Sequence, residues 1–222
     1  MVVTGGVRKY HICRMIKALL LIIEPVRAWE RVARARRSVV FIALVYLLPL
    51  FGLTSLAEGY GLVRWGKPQP NVERPKQFTV AEATAYEIAQ GVISFGIVLV
   101  GAMIIKSLGE TFQGRHTYTQ AFTTVAYGLG PMFMLRVLDG FSGMNPWVTW
   151  GVGVFLTMAV LYQGIPRIML PDPPQAFGLY LMSLILLAII TGLARFVSWW
   201  YLRGEFKSVE RIISDLVQRL TS

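Results

Sequence analysis

Long apolar stretches separated by short polar ones set the pattern of this chain. Residues 38–57, 87–108, 117–138, 146–162 and 177–200 are each predominantly apolar. A helix needs about 20 such residues to cross roughly 30 Å of hydrocarbon. Lipid offers no water to backbone N–H and C=O groups, so a spanning segment must satisfy them internally, as a helix does. The pattern therefore predicts an all-α fold: a polytopic five-transmembrane-helix bundle. Pro49 lies inside the first span and predicts a kink near Val45, whose carbonyl loses its helical partner. Trp147 and Trp150 open the fourth span, and Trp199, Trp200 and Tyr201 close the fifth. Such rings suit the headgroup region, where an apolar body and a polar edge are both satisfied.

The two ends of the chain show a different period. Ile16, Leu19, Leu20 and Ile23 recur at helical spacing, Pro25 interrupts, and Val26, Trp29 and Val32 form a second stripe. Proline suits the first turn of a new helix. Arg27, Arg31 and Arg34 flank the stripe, and Glu30 can pair with Arg34 one turn on. A basic helix with one apolar face predicts a segment lying in the membrane interface. Beyond Gly204, residues Val209, Ile212, Ile213, Leu216, Val217 and Leu220 follow an amphipathic stripe with Glu210, Arg211, Asp215, Gln218 and Arg219 off it. The chain thus divides into a basic interfacial segment (1–37), a transmembrane domain (38–203) and a C-terminal amphipathic helix (204–222). Arg14 and Lys17 precede only a short apolar run with no small-residue cleavage site, which argues against a signal peptide. Met15 opens a cleaner pattern than residues 1–14. The expected start is Met15, and an intact mass beginning at Met1 would overturn that.

Composition supports the membrane reading. Hydrophobic residues make up 55% and charged residues 15%, where a soluble domain carries about a quarter charged. The net charge of +10 concentrates ahead of the first span, in Arg8, Lys9, Arg14, Lys17, Arg27, Arg31, Arg34, Arg36 and Arg37. This placement favours anionic lipid headgroups over nucleic acid as the partner. Trp29, Arg31, Arg34, Arg36, Arg37, Trp199 and Trp200 are the candidate lipid-interface residues. The same cluster places the N-terminus in the cytoplasm, and five spans then put the C-terminus outside.

Chemistry is sparser. One cysteine, Cys13, cannot form an intrachain disulfide, and His11 and His116 are far apart, so no metal or cofactor motif is visible. No GxSxG, P-loop, HExxH or CxxC pattern occurs, and no catalytic residue is nominated. The third span is the most polar. Thr119, Thr123 and Tyr127 share a face that Gln120 and Thr124 widen, and Gly128, Gly130 and Pro131 let the backbone bend. That face should look into the bundle, with Gln90, Ser94 and Gln163 as partners. It is either interhelical glue or the wall of a polar cavity. Glu87, Arg136, Asp139 and Arg195 fall near the external ends of their spans. They form either a salt-bridge cluster or a set of side chains snorkelling to headgroups. Residues 164–174 carry Pro166, Pro171, Pro173 and Pro174 and read as a stiff loop.

Several stretches resemble the Yip1 superfamily, in its compact bacterial branch. They are the entry Ile22-Ile23-Glu24-Pro25-Val26-Arg27-Ala28-Trp29, the third-span run Thr123-Thr124-Val125-Ala126-Tyr127-Gly128-Leu129-Gly130-Pro131, and the exit Leu161-Tyr162-Gln163-Gly164-Ile165. The resemblance implies five spans, a cytoplasmic N-terminus and a bacterial inner-membrane location. Eukaryotic relatives work with small GTPases through a long N-terminal region that has no counterpart here. The expected function is non-enzymatic: a membrane-organising protein or membrane-complex subunit engaging lipid and, through its C-terminal helix, other membrane proteins. A small transporter or channel using the third span is the alternative, and an enzyme ranks third.

Overall fold

A computed structural model describes residues 24–68, 75–112, 116–141 and 143–203. The expectations for residues 1–23 and for the amphipathic stripe after Gly204 lie outside the described residues. Five helices are long and apolar enough to cross a membrane: Val39–Arg64, Val80–Thr111, Tyr118–Gly140, Pro146–Ile168 and Pro173–Leu202. An entry helix, α1 (Pro25–Ala35), precedes them.

Local chemistry explains where each helix starts and bends. Pro25 opens α1, and Arg36 closes it in the left-handed conformation. The Ser38 side chain accepts from the Phe41 N–H and caps the first span, α2 (Val39–Arg64). Residues Ala43–Leu47 of α2 form a π turn in which the Leu48 N–H donates to Ala43 O. This bend sits just ahead of Pro49, as the missing proline N–H predicts; the chain absorbs the lost bond by widening the helix for one turn. Thr79 and Glu82 form a reciprocal capping box that starts α3 (Val80–Thr111), and Thr117 and Gln120 do the same for α4 (Tyr118–Gly128). Pro131 restarts the third span as α5 (Gly130–Leu135), which tightens into a 3-10 turn over Arg136–Gly140. The Asn145 side chain accepts from the Trp147 N–H to cap α6 (Pro146–Ile168), and α7 (Pro173–Leu202) completes the bundle.

Two connections are shorter than the sequence reading has them. The first span continues past Ala57 to Arg64, so Glu58 is helical rather than the first residue of a loop. The connection to α3 is correspondingly short, closed by an antiparallel bridge between Lys67 and Lys76. Gly66 makes that turn at φ +70°, with the Lys76 carbonyl against its α-carbon, so only glycine fits there. The expected loop over 164–174 is also shorter. Helix α6 runs through Pro166 to Ile168, even though proline removes the N–H that the Tyr162 carbonyl would otherwise accept from.

The third span is the axis of the bundle. In its apolar window 72% of residues are buried, against 33–39% in the other four. Helices α2, α3 and α6 pack against it, and α7 packs on α3 and α6. Its core-facing residues include Phe122, Val125, Ala126, Leu129 and Phe133. The surrounding helices turn Leu44, Leu56, Val92, Phe155, Ile185 and Ile189 outward, which suits acyl chains.

Close backbone approach locks the end of α2 to the end of the third span. A β-carbon on Gly61 would lie 2.0 Å from Gly140 O, and one on Gly140 would lie 2.7 Å from Ala57 O. Both obstacles are backbone atoms, which no rotamer change can move. Gly61→Ala should therefore cost about 1–3 kcal/mol, read as a lower thermal midpoint in detergent. Gly52, where a β-carbon meets nothing within 4 Å, serves as the neutral control.

Candidate functional site

Alternating helix direction brings the end of α2, the start of α3, the end of the third span, the start of α6 and the end of α7 to one face. Glu58 joins the buried stripe Phe51, Thr54, Gly61 and Leu62 on α2. Arg136 reaches it with Nε at 3.2 Å and Nη2 at 2.7 Å from Oε2, and Nη2 lies 3.2 Å from Glu87 Oε2. A second pair sits beside the first. Arg195 Nη2 lies 2.5 Å from Asp139 Oδ2 and donates to Thr149 Oγ1 at 2.8 Å. Lys67 donates its ammonium to the Asp139 carbonyl, and the Tyr86 hydroxyl donates to Glu58 at 3.4 Å.

Three carboxylates (Glu58, Glu87, Asp139) thus meet three cations (Arg136, Arg195, Lys67) in a setting where an isolated charge is costly. Burial lowers the Lys67 pKa, and the Asp139 and Glu58 carboxylates work against that shift. A cavity of about 60 Å³ beside these groups is lined by Gln90, Ser94, Arg136, Asp139 and Arg195 among others. That is room for a few waters among polar partners.

The structure therefore brings Glu87, Arg136, Asp139 and Arg195 together and adds Glu58 and Lys67, which the sequence reading missed. The signal for Glu58 was present: Thr54, Glu58 and Gly61 follow the i, i+4, i+7 spacing of one helix face.

The expected polar face of the third span does not assemble as one unit. Gln90 donates to the Tyr86 hydroxyl at 3.0 Å and to Ser198, and with Ser94 it lines the cavity beside Arg136. Neighbouring antiparallel helices explain this: the start of α3 lies level with the end of the third span, far from Thr119 and Thr123. Gln163 accepts instead from Arg167, at 2.6 Å to its side chain. Thr123 and Thr124 donate to the carbonyls of Thr119 and Gln120 on their own helix, at 2.6 and 3.0 Å. Tyr127 packs its ring on Tyr46 at 4.3 Å and edge-on to Trp29 at 6.3 Å.

Trp29 itself departs from the interfacial expectation. It is fully buried, and its indole N–H donates to the Val160 carbonyl at 2.9 Å. Gly164 gives the ring room to enter, since a β-carbon there would lie 2.4 Å from Trp29 Cζ2. The apolar face of α1 thus docks on α6 rather than on lipid. Trp199 and Trp200 are half-buried, and Trp199 stacks under the Arg203 guanidinium at 4.4 Å.

With Trp29 pinned, the polar side of α1 overhangs the start of the third span. Between them lies a cleft of about 910 Å³, with Arg31, Arg34, Arg36, Arg37 and Arg167 in its wall and Thr119, Thr123 and Tyr127 along its floor. Among the described residues no Asp or Glu contributes to the lining. Arg34 pairs with Glu30 at 3.3 Å, and Arg37 lies over the Phe41 ring at 4.4 Å. Among the described residues no carboxylate pairs with Arg31, Arg36, Arg37 or Arg167.

His116 sits beside this cleft, between α3 and α4, packed against Gly109. Burial lowers its pKa, opposed by the Met169 backbone and the Glu110 carboxylate. A depressed folded-state value means that the stability from neutral His116 is complete above the ordinary value of about 6.5. It is lost as pH falls through the lowered value. The thermal midpoint should fall on acidification across that window, and His116→Gln should flatten the fall.

The Yip1 domain family model matches residues 19–207 of this chain. Among curated proteins and among solved structures nothing matches.

Proposed function

The chain belongs to the Yip1 family, and from that premise we propose that it is a non-enzymatic membrane-organising protein, or a subunit of a membrane complex, that gathers anionic lipid at its basic entry helix. The observation that carries this reading is the anchoring of α1. Trp29 fixes the helix to α6, while Arg31, Arg34 and Arg36 stay exposed in the wall of the cleft, ahead of the first span. Basic side chains held there attract an anionic surface by about 1 kcal/mol each.

The charge distribution supports a cytoplasmic α1 and an external Glu58–Arg136–Glu87 cluster, and the resemblance supports a bacterial inner membrane. The segment after Gly204 is then the surface offered to other membrane proteins on the opposite face.

Extraction of native membrane patches with their lipid tests this reading. Anionic lipid around the protein should exceed its share in the bulk membrane, and the Arg31, Arg34, Arg36 and Arg37→Gln combination should remove the excess. Lipid indistinguishable from bulk around the unmutated chain would overturn it.

One observation favours a second reading, a small transporter or channel. The cleft reaches Tyr127, two residues ahead of the helix break at Leu129. Anion flux into vesicles that is lost in Tyr127→Ala, with the thermal midpoint retained, would replace the first reading with this one.

A further inference from the structure

The cleft between α1 and the third span is more than a charged surface. We infer that it is a discrete, saturable site for one anionic phosphate-bearing headgroup, held by Arg36, Arg37 and Arg167 from two sides. The inference rests on the lipid reading above and names the ligand class.

Charge requires a counter-ion. Arginine keeps its proton at any physiological pH, so the positive wall cannot neutralise itself. Among the described residues the cleft lining holds no Asp or Glu, and Glu30 is engaged with Arg34. Nothing among the described residues balances this charge, which leaves room for an anion from outside the chain.

Shape and chemistry narrow the ligand. The cleft volume of about 910 Å³ falls in the range of small-molecule sites, about 300–1,000 Å³. Guanidinium groups match phosphate oxygens with paired N–H donors. Ala28, Val32 and Ile42 line the same cleft, so an apolar strip lies next to the arginines. A phospholipid presents that sequence of groups, with its phosphate next to glycerol and acyl carbon. The cleft also opens at the end of the spans, where lipid phosphates lie.

The test uses the full chain in nonionic detergent, titrated with short-chain phosphatidylglycerol, phosphatidylcholine or glycerol 3-phosphate. Native mass spectrometry counts bound molecules, and the thermal midpoint reports their effect. The expected result is one saturable equivalent of phosphatidylglycerol, with phosphatidylcholine binding more weakly. Arg37→Gln with Arg167→Gln should weaken it by roughly tenfold or more, the loss of charge-assisted contacts. Arg27→Gln should change nothing, because Arg27 is exposed, lies outside the cleft lining and pairs with Glu24. Should the double variant fail to fold, Arg36→Gln carries the test, since Arg36 is exposed.

Glycerol 3-phosphate binding as tightly, with the same arginine dependence, would keep the phosphate site and assign it to a soluble ligand. Unsaturable adducts, or equal weakening by Arg27→Gln, would overturn the site while leaving diffuse lipid attraction standing. No preference for phosphatidylglycerol over phosphatidylcholine would overturn both.

Discussion

Arg136→Met should destabilise the protein by about 3–5 kcal/mol, the cost of leaving buried charges without their partner. Arg136 joins Glu58 at 2.7 Å and Glu87 at 3.2 Å, and its removal strands both carboxylates at once. The Glu58 side chain is only 2% exposed, so water is a poor substitute for its lost partner. Methionine replaces the aliphatic stem, so the loss measured is electrostatic rather than a cavity. Glu87→Gln should cost less, because Arg136 keeps both of its bonds to Glu58. Combining Arg136→Met with Glu58→Gln and Glu87→Gln should recover much of the loss, since a buried ion pair repays little beyond its own desolvation. Thermal unfolding in detergent or nanodiscs ranks the four proteins. An unchanged midpoint in Arg136→Met would show that water reaches these carboxylates and that the network is not structural.

Trp29→Ala should cost a similar amount, about 3–5 kcal/mol, for truncating a large buried ring. Three contacts go together: the indole bond to Val160 O, the edge of Tyr127, and the surface of α6 at Gly164. Trp29→Phe keeps most of the packing and loses one hydrogen bond, worth about 1 kcal/mol. The consequence reaches past stability. Without its anchor α1 is expected to detach, and the basic cleft loses one wall. Faster proteolysis within α1 and weaker anionic-lipid binding should then appear together. Gly164→Leu should produce the same detachment by filling the slot that Trp29 occupies. The two substitutions act on one contact, so their double variant should cost less than the sum. Additive costs would mean that Trp29 and Gly164 stabilise the chain independently, against the contact described here.

Much of the architecture was legible in the chain. Five apolar runs, the bend before Pro49, the starts at Ser38 and Pro146 and the family resemblance all rest on neighbouring residues. The structure places five long apolar helices over those runs, and the family match covers residues 19–207. Helix ends were less legible. Glu58 and Pro166 look like terminators by composition, yet both lie inside helices; for Glu58 the reason is burial against Arg136, a partner from another helix. Trp29 shows the limit of residue type as evidence. A tryptophan beside arginines reads as interfacial, but the slot that buries it is made by Gly164, on another helix and 135 positions later (164 − 29).

The candidate sites divide along the same line. Which residues carry charge, and that the basic excess gathers before the first span, was determined by the sequence alone. Which charges meet was decided by tertiary structure. Arg136 and Glu58 are 78 positions apart, and Arg195 and Asp139 are 56 apart. Hydropathy and periodicity report what one segment prefers to touch: lipid, water or protein. They carry no information about which partner arrives at the same depth. That depends on helix direction, on glycine contacts such as Gly61 with Gly140, and on the cost of an unpaired charge away from water, all of which exist only once the helices are packed.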